Sequence, residues 1–181
     1  HFRAHLDMLS SLLESRETTE ASQYLKTIRA KQTTRIFLVN CHHPVLDALL
    51  NQKARLAQEK GISIQFKVND LSLLTIDPTD ITVILSNLLD NAIEACDKCA
   101  DKKIEVMVLL ESSFFFSIRN TSFPVHIVSD HITSTKADPS LHGFGLENVK
   151  TLLKKHNGEY VMLYENGWFQ FSAEIPTEFI S

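Results

Sequence analysis

The sequence predicts an α+β fold in which an N-terminal two-helix hairpin precedes a sandwich of helices on one face of a mixed sheet. Apolar residues recur at helical spacing before Gly61, alternate with polar residues directly after it, and then follow helical and strand patterns in turn. The 181 residues include only 5 glycines and 5 prolines, which excludes a turn-rich all-β protein. The 44% apolar composition is sufficient for a hydrophobic core.

Residues 1–60 form the first predicted domain. Apolar residues follow three- and four-residue steps up to a break before Pro44, and a second helical stripe runs from there to Gly61, a residue type that often ends helices. A hairpin of this size buries too little surface on its own, so we expect a second copy to complete a four-helix bundle. Residues 1–60 are therefore predicted to dimerise, and residues 61–181 to form a second domain.

The second predicted domain alternates strands and helices. In order, it is predicted to contain a strand at 62–68, a short apolar segment at 71–76, a helix at 79–96, strands at 103–110 and 114–118, a loop over 120–142, a helix at 146–156, and strands at 159–164 and 168–175. The loop is long and rich in Ser, Thr, His and Asp, which is typical of a lid or a binding loop.

Composition and charge exclude several classes of protein. The chain has 18 Lys and Arg against 22 Asp and Glu, and this net charge of −4 gives no general case for binding nucleic acid or an anionic membrane. No stretch is apolar enough to span a membrane, and no signal peptide opens the chain. Three cysteines, Cys41, Cys96 and Cys99, fit a reducing compartment. Because His1 lies within a predicted helix, we expect a piece of a longer protein.

A polar stripe follows one side of the predicted helix at 79–96. Asn87, Asn91 and Glu94 are spaced at i, i+4 and i+7, so they share one side of the helix. Asn is a poor helix former, and a stripe of this kind beside a broad apolar face indicates the wall of a site. An Asn oxygen can help to hold Mg²⁺, which also takes oxygens from water and phosphate. The simpler alternative is an ordinary solvated helix face.

A glycine-containing junction lies where the predicted loop meets the next helix. It reads His142-Gly143-Phe144-Gly145-Leu146. Glycines just before a helix let the backbone approach a ligand, and the helix N-terminus offers free N–H groups and the positive end of its dipole to phosphate. Thr135 and Lys136, upstream in the loop, supply a hydroxyl group and a cation. The simpler alternative is a flexible turn.

Together the two segments resemble the N box and the G2 box of the ATPase superfamily shared by gyrase, a major chaperone, histidine kinases and mismatch-repair proteins. The closer resemblance is to sensor histidine kinases of the peptide-pheromone (accessory-gene-regulator) class and their citrate-sensor relatives, through NLLDNAIEA at 87–95 and HGFGLENV at 142–149. It spans nearly the whole chain. It implies a dimerising helical hairpin followed by a Bergerat-type ATP-binding catalytic domain, with ATP and Mg²⁺ as cofactors.

The resemblance also implies roles for single residues. Asn91 would hold Mg²⁺, and Asn87, one turn earlier, would lie at the wall of the site. The family's Asp-x-Gly-x-Gly box is missing. Asn120 stands where this class often carries Asn, and its amide oxygen would accept a hydrogen bond from the amino group of adenine. The alternative for Asn120 is a turn residue that ends a strand.

The phosphate end of the implied site lies in the loop and the glycine junction. Gly143 and Gly145 would approach the phosphates, and Lys136 would meet phosphate oxygens. The neighbouring residues of the same segments complete this predicted set: Thr135, His142 and Leu146.

The phosphoacceptor histidine is implied to lie at the start of the chain. The family opens this helix with His-Asp-x-x-Asn-His-Leu, whereas this chain opens with His-Phe-Arg-Ala-His-Leu. The acceptor is His1, a residue just upstream of it, or His5, depending on the alignment. A neutral imidazole would attack the γ-phosphorus in line. The carboxylate that normally orients this imidazole is missing beside His1.

The resemblance thus implies the cytoplasmic kinase core of a bacterial two-component sensor. The core would dimerise through the hairpin, autophosphorylate a histidine and pass the phosphoryl group to an aspartate of a response regulator. A sensor region upstream of residue 1 would place the full-length protein in the plasma membrane. Two alternatives stay open: a degenerate kinase that binds nucleotide or a partner without phosphorylation, and a serine kinase of the anti-sigma type, which the long hairpin disfavours.

Overall fold

The computed structural model describes residues 39–128, 131–134 and 144–177, together with residues 8, 10–11, 15 and 18–23. The chain divides into two compact units, residues 1–37 and 38–181. In the first unit, the described residues 8, 10–11 and 18–23 are helical, in agreement with the helix predicted there.

The second unit combines three described helices with seven described strands. In chain order they are α1 (Pro44–Glu59), β1 (Ser63–Val68), α2 (Pro78–Asp97), β2 (Lys103–Leu110), β3 (Ser113–Thr121), β4 (Val125–Val128), β5 (His131–Ser134), α3 (Phe144–Lys155), β6 (Glu159–Glu165) and β7 (Trp168–Pro176). Five strands form one sheet in the order β1-β2-β3-β7-β6, and β4 pairs with β5. Because β1 is parallel to β2 and the other pairs are antiparallel, the sheet is mixed, which confirms the predicted fold class.

The core lies between the helices and one face of the sheet. Successive side chains of a strand point to opposite faces, so alternate residues of β3, such as Phe114, Phe116 and Ile118, are buried beneath the helices. They share one apolar cluster with Leu85 of α2 and Val149 of α3.

In the described part of the chain, no helix is long and apolar enough to cross a membrane.

Helix α1 packs on the sheet of its own unit, contrary to the prediction that it belongs to a separate hairpin. Leu46, Leu50 and Ala57 of this helix are fully buried in the apolar cluster that also contains the sheet residues. The boundary between the compact units accordingly follows Phe37, and does not lie at Gly61. An apolar stripe shows that a helix face is buried, but it does not show which surface buries it. Dimerisation through the hairpin predicted at residues 1–60 stays a prediction.

The segment before α1 is fixed to this helix by hydrogen bonds. Asn51, itself buried, accepts from the main-chain N–H of Val39 at 3.1 Å and donates to its carbonyl at 2.8 Å. Asp47 accepts from the N–H of Cys41 at 2.7 Å, and the carbonyl of Cys41 accepts from the N–H of Leu71 at 2.8 Å. Residues 39–41 are therefore an integral part of the second unit.

The region predicted as a loop at 120–142 contains regular structure. Strand β3 continues to Thr121, and β4 and β5 form an antiparallel pair in which Ile127 lies opposite Ile132. These strands have only four residues each, and their short apolar alternation is hidden among polar residues. Residues 129–130 and 135–143 lie outside the described part of the chain.

Candidate functional site

The candidate site lies where α2 passes the start of α3. Helix α2 begins at an Asp-Pro cap, in which Oδ1 of Asp77 accepts from the N–H of Thr79 at 2.8 Å. Its apolar face, which includes Ile84, Leu85 and Leu88, is buried against the sheet. The polar stripe predicted from the sequence is therefore left half-buried on the other side of the helix.

Asn87 contacts the first turn of α3. A methyl group placed on Cα of Gly145 would lie 3.0 Å from Oδ1 of Asn87 and 3.6 Å from its Cγ. Nδ2 of Asn87 donates to the carbonyl of Val83 at 2.8 Å, which fixes the orientation of the amide and leaves its oxygen toward Gly145. The structure thus brings together two residues from the two predicted segments, 58 positions apart in the sequence.

Asn91 follows Asn87 by one helical turn and is half-buried. Its side chain makes no hydrogen bond to the part of the chain that the structure describes. An amide in this position retains its full capacity to bind a ligand, because no neighbouring group in this part of the chain competes for its oxygen.

The start of α3 offers main-chain donors beside these asparagines. The N–H groups of the first helical turn have no partner within the helix, and the helix dipole adds partial positive charge there. Gly145 is the second residue of α3 and Leu146 the third. The side chain of Leu146 is buried in the apolar core, so this residue can contribute to a site through its main chain. The helix starts two residues earlier than the sequence predicts.

Asn120 is a buried strand residue, with 2% of its surface exposed, and not a turn residue. It shares the helix-facing side of β3 with Phe116 and Ile118. Nδ2 of Asn120 donates to the carbonyl of Thr121 at 2.9 Å. Its Oδ1 accepts no hydrogen bond from the described residues, so this oxygen can accept one from a ligand at the end of β3.

The C-terminal half of α2 is joined to this end of β3. Sγ of Cys96 lies 3.1 Å from Oγ1 of Thr121. The C-terminal half of α2 therefore runs from Asn87, beside the start of α3, to Cys96, beside the end of β3 that carries Asn120. Burial raises the pKa of the Cys96 thiol and of the Cys99 thiol, so neither is activated as a thiolate. The described residues contain no group of three His, Cys, Asp or Glu suited to a metal ion.

Charged side chains on α2 are paired with neighbouring groups. Asp90 lies between Asn87 and Asn91 in the sequence, and its Oδ1 is 2.6 Å from Nζ of Lys53 on α1. Only 11% of the Lys53 side chain is exposed. Glu94, the third residue of the predicted stripe, pairs with Lys98 at 3.4 Å. The Lys53 contact is not predictable from the sequence, because nothing in the spacing of α1 distinguishes a lysine that reaches another helix from a solvated one.

Six residues of the predicted site lie outside the described part of the chain. They are His1, His5, Thr135, Lys136, His142 and Gly143. Their roles stay predictions, as does the binding role of the residues that the structure does describe.

A mixed sheet covered by helices, with a polar helix wall facing a helix N-terminus, defines an α+β sandwich suited to holding a phosphate-containing ligand. Residues 76–176, more than half of the 181, match the family model described as a GHKL domain. The chain belongs to the GHKL domain family.

The chain is also similar to individual curated proteins. Sensor histidine protein kinase HK06 of Streptococcus pneumoniae is 27% identical over 173 residues, which cover 90% of this chain and 36% of that protein. The chain therefore spans little more than a third of the length of these curated relatives.

Solved structures show the same fold at low sequence identity. The nucleotide-free catalytic domain of histidine kinase ThkA superposes with a TM-score of 0.62 at 20% identity, over 75% of this chain and 94% of that one. Acinetobacter baumannii histidine kinase AdeS superposes with a TM-score of 0.54 at 13% identity, over 97% of this chain and 96% of that one. The fold is that of histidine kinase catalytic domains.

Proposed function

We propose that the chain is the ATP-binding catalytic part of a sensor histidine kinase, which binds Mg-ATP and phosphorylates a histidine. The observation that carries this proposal is the contact between Asn87 and Gly145, which places an amide wall beside the N–H groups of the α3 N-terminus. Membership of the GHKL family and the 27% identity to a sensor histidine kinase support it.

The residues present fit a nucleotide along the C-terminal half of α2, from Asn87 to the residues beside β3. At the start of α3, the close approach of Asn87 to Gly145 leaves little space for a Cβ atom, while the first-turn N–H groups suit phosphate oxygens. At the end of β3, the acceptor oxygen of Asn120 suits the amino group of adenine. Asn91, between these ends, would hold Mg²⁺ through its amide oxygen. Gly143, Thr135, Lys136 and His142 would complete the phosphate end.

The described chain would contribute binding and orientation to the reaction. Bound Mg-ATP would supply the phosphoryl group. The fixed amide of Asn87 and the N–H groups of α3 would hold the phosphates before transfer, so their placement would cost no reorganisation at the moment of reaction. The acceptor would be His1, His5 or a histidine just upstream, and its imidazole would attack as a neutral nucleophile.

The wider assignment follows the same proposal. The protein would act as a homodimer through its N-terminal helices and pass the phosphoryl group to an aspartate of a response regulator. It would belong to the accessory-gene-regulator and citrate-sensor class, with its kinase core in the cytoplasm and a sensor region in the bacterial plasma membrane. The segments NLLDNAIEA and HGFGLENV support this class.

A second candidate is a degenerate kinase that binds nucleotide without transferring phosphate. Two observations favour it: the neutral amide of Asn120 stands where a carboxylate is usual, and no carboxylate follows His1 directly. Such a protein would act as a relay or a partner-binding module.

Phosphorylation with γ-labelled ATP and Mg²⁺ separates the candidates, using a chain extended upstream of His1. A histidine kinase gives label that acid removes and alkali leaves in place, because phosphohistidine is acid-labile. Absence of label despite nucleotide binding supports the degenerate kinase, and acid-stable label contradicts both proposals.

Asn91 provides a direct test of the Mg²⁺ assignment. We expect Asn91→Ala to weaken Mg-ATP binding about tenfold or more, equivalent to ~1.4 kcal/mol, because the amide oxygen that holds the ion is lost. Isothermal titration calorimetry in Mg²⁺ and in EDTA measures the effect, which should disappear in EDTA. Gln52→Ala removes an exposed amide on α1, outside the proposed site, and is the matched control that should bind like the wild type. Full retention of Mg-ATP binding by Asn91→Ala would reject the assignment.

A further inference from the structure

We infer that Asp80 is a positioning residue for the proposed nucleotide site, because it holds the C-terminal end of α3 and thereby sets where the N-terminal end of α3 faces Asn87. The inference rests on the proposed function. Asp80 lies two helical turns before Asn87 on α2 and outside the segments that the sequence identifies as a site.

Asp80 binds two side chains at the end of α3 through one oxygen. Its Oδ2 accepts from Nζ of Lys155 and from Nε2 of His156, each at 2.6 Å. Only 12% of the Asp80 side chain and 20% of the His156 side chain are exposed, so the bond between these two residues is largely shielded from water. Hydrogen bonds from Lys155 and then His156 lower the pKa of Asp80, which keeps the carboxylate charged.

The two contacts between α2 and α3 lie at opposite ends of α3. Asp80 meets the last turn of α3, and Asn87 meets its first turn, so the two helices are antiparallel. The contacts are about 10 Å apart along α2 and about 15 Å apart along α3, from a rise of 1.5 Å per residue. The hydrogen bonds to Asp80 hold one end of α3, and the direction of the helix then sets how closely its other end approaches Asn87.

The apolar contacts of α3 cannot replace this directional constraint. Val149 and Leu153 are fully buried and keep α3 on the core. Hydrophobic contacts are non-directional, and they tolerate small tilts better than two hydrogen bonds to one carboxylate oxygen do. The direction of α3 relative to α2 therefore depends on Asp80.

A tilt of α3 would affect the two ends of the proposed site unequally. The N–H groups that would bind phosphate belong to the tilting helix, and small displacements from the productive position weaken such contacts steeply. Asn120, the proposed adenine acceptor, belongs to β3 in the centre of the sheet. Loss of Asp80 should thus weaken binding of phosphate groups and spare binding of the base. An ion pair that only stabilised the fold would give no such difference.

Isothermal titration of the 181-residue chain with Mg-ATP and with adenosine tests the inference. We expect Asp80→Asn to weaken Mg-ATP binding about fivefold to tenfold and to leave adenosine binding unchanged. Asp97→Asn is the matched control. Asp97, at the other end of α2, also bridges two cationic side chains, Lys60 at 2.7 Å and Lys102 at 2.8 Å, but these belong to the α1 end and the segment before β2. This variant should bind both ligands like the wild type.

Each outcome bears on the inference. The inference is overturned if Asp80→Asn binds Mg-ATP and adenosine with the same affinities as the wild type. It is also overturned if the variant loses affinity for both ligands by the same factor. If Asp80→Asn does not fold, Lys155→Met carries the test, since 58% of the Lys155 side chain is exposed and one of the two bonds to Asp80 remains. It should show the same selective loss, about twofold, and no selective loss overturns the inference. Wild-type protein that binds no ATP rejects the proposed function itself.

Discussion

At the scale of a single residue, Gly145 determines how closely two helices approach. A Cβ there would press on Oδ1 of Asn87 at 3.0 Å, which is tighter than ordinary van der Waals contact. The Asn87 side chain would have to shift by a few tenths of an ångström, against the hydrogen bond to Val83 that orients its amide. The absence of a side chain at Gly145 therefore preserves the orientation of Asn87.

We expect Gly145→Ala to weaken Mg-ATP binding about fivefold while changing the free energy of unfolding little. The methyl group displaces the Asn87 amide, but alanine is also the better helix former, by up to ~1 kcal/mol, and this offsets the strain. Calorimetry and urea denaturation measure the two effects separately.

The control for this variant is Gly61→Ala. Gly61 has a φ of +69° with open space around it, so a methyl group there strains the backbone and meets no neighbour. It should cost about 1 kcal/mol of stability and leave nucleotide binding unchanged. Wild-type affinity in Gly145→Ala would contradict the proposed role of this contact.

Some of these residues can be recognised from the sequence and others cannot, for a physical reason. Asn87, Asn91 and Gly145 stand out because polar residues and glycines are unusual in their local context. Asp80 and Lys53 do not stand out, because a charged residue on a helix is normally solvated. Their partners, His156 and Asp90, are brought close by the tertiary fold, and local spacing carries no information about that distance.

At the scale of the element, helix α1 shows what an amphipathic pattern can and cannot predict. Its bounds and its buried stripe were predicted from the sequence, and both agree with the structure. The prediction of which surface buries this stripe was wrong, because the same stripe would fit either a dimer interface or the sheet of its own unit. The α+β class and the mixed sheet were confirmed, while the short strands β4 and β5 were missed.

Asn51 allows the attachment of residues 39–41 to α1 to be measured. We expect Asn51→Ala to lower the free energy of unfolding by about 2–3 kcal/mol, because it leaves the buried N–H and carbonyl groups of Val39 without these partners. Urea denaturation measures the change. Gln52→Ala, its exposed neighbour, should change stability by less than about 0.5 kcal/mol. A similarly small effect of Asn51→Ala would show that the attachment contributes little.

At the scale of the whole molecule, ionised carboxylates hold separate segments together. Hydrogen bonds from Lys102 and Lys60 lower the pKa of Asp97 from 3.8 to about 2, and these residues join the ends of α1 and α2 to the segment before β2. Hydrogen bonds from Ser72 and His42 lower the pKa of Asp70 to about 2 as well. These groups remain charged in the native state under conditions that protonate them in the unfolded chain.

The resulting pH dependence has a definite sign. The folded protein binds fewer protons than the unfolded chain between about pH 4 and pH 2, so the stability that these carboxylates contribute is present above pH 4 and is lost as the pH falls through this range. Urea denaturation at pH 6, 4 and 3 should show a shallower decline for Asp97→Asn than for the wild type. Identical pH profiles would indicate that Asp97 titrates normally in the folded protein.

The pairing of β3 with β7 has a consequence for folding and for variation among relatives. These neighbouring strands are separated in the chain by β4, β5, α3 and β6, so their pairing closes a long loop that contains the start of α3, one wall of the proposed phosphate site. The entropy of closing a loop rises slowly with its length, by about 0.6 kcal/mol for each doubling. Insertions or deletions between β5 and α3 should therefore cost the fold little stability, and this segment can diverge in length among relatives while the sheet stays the same.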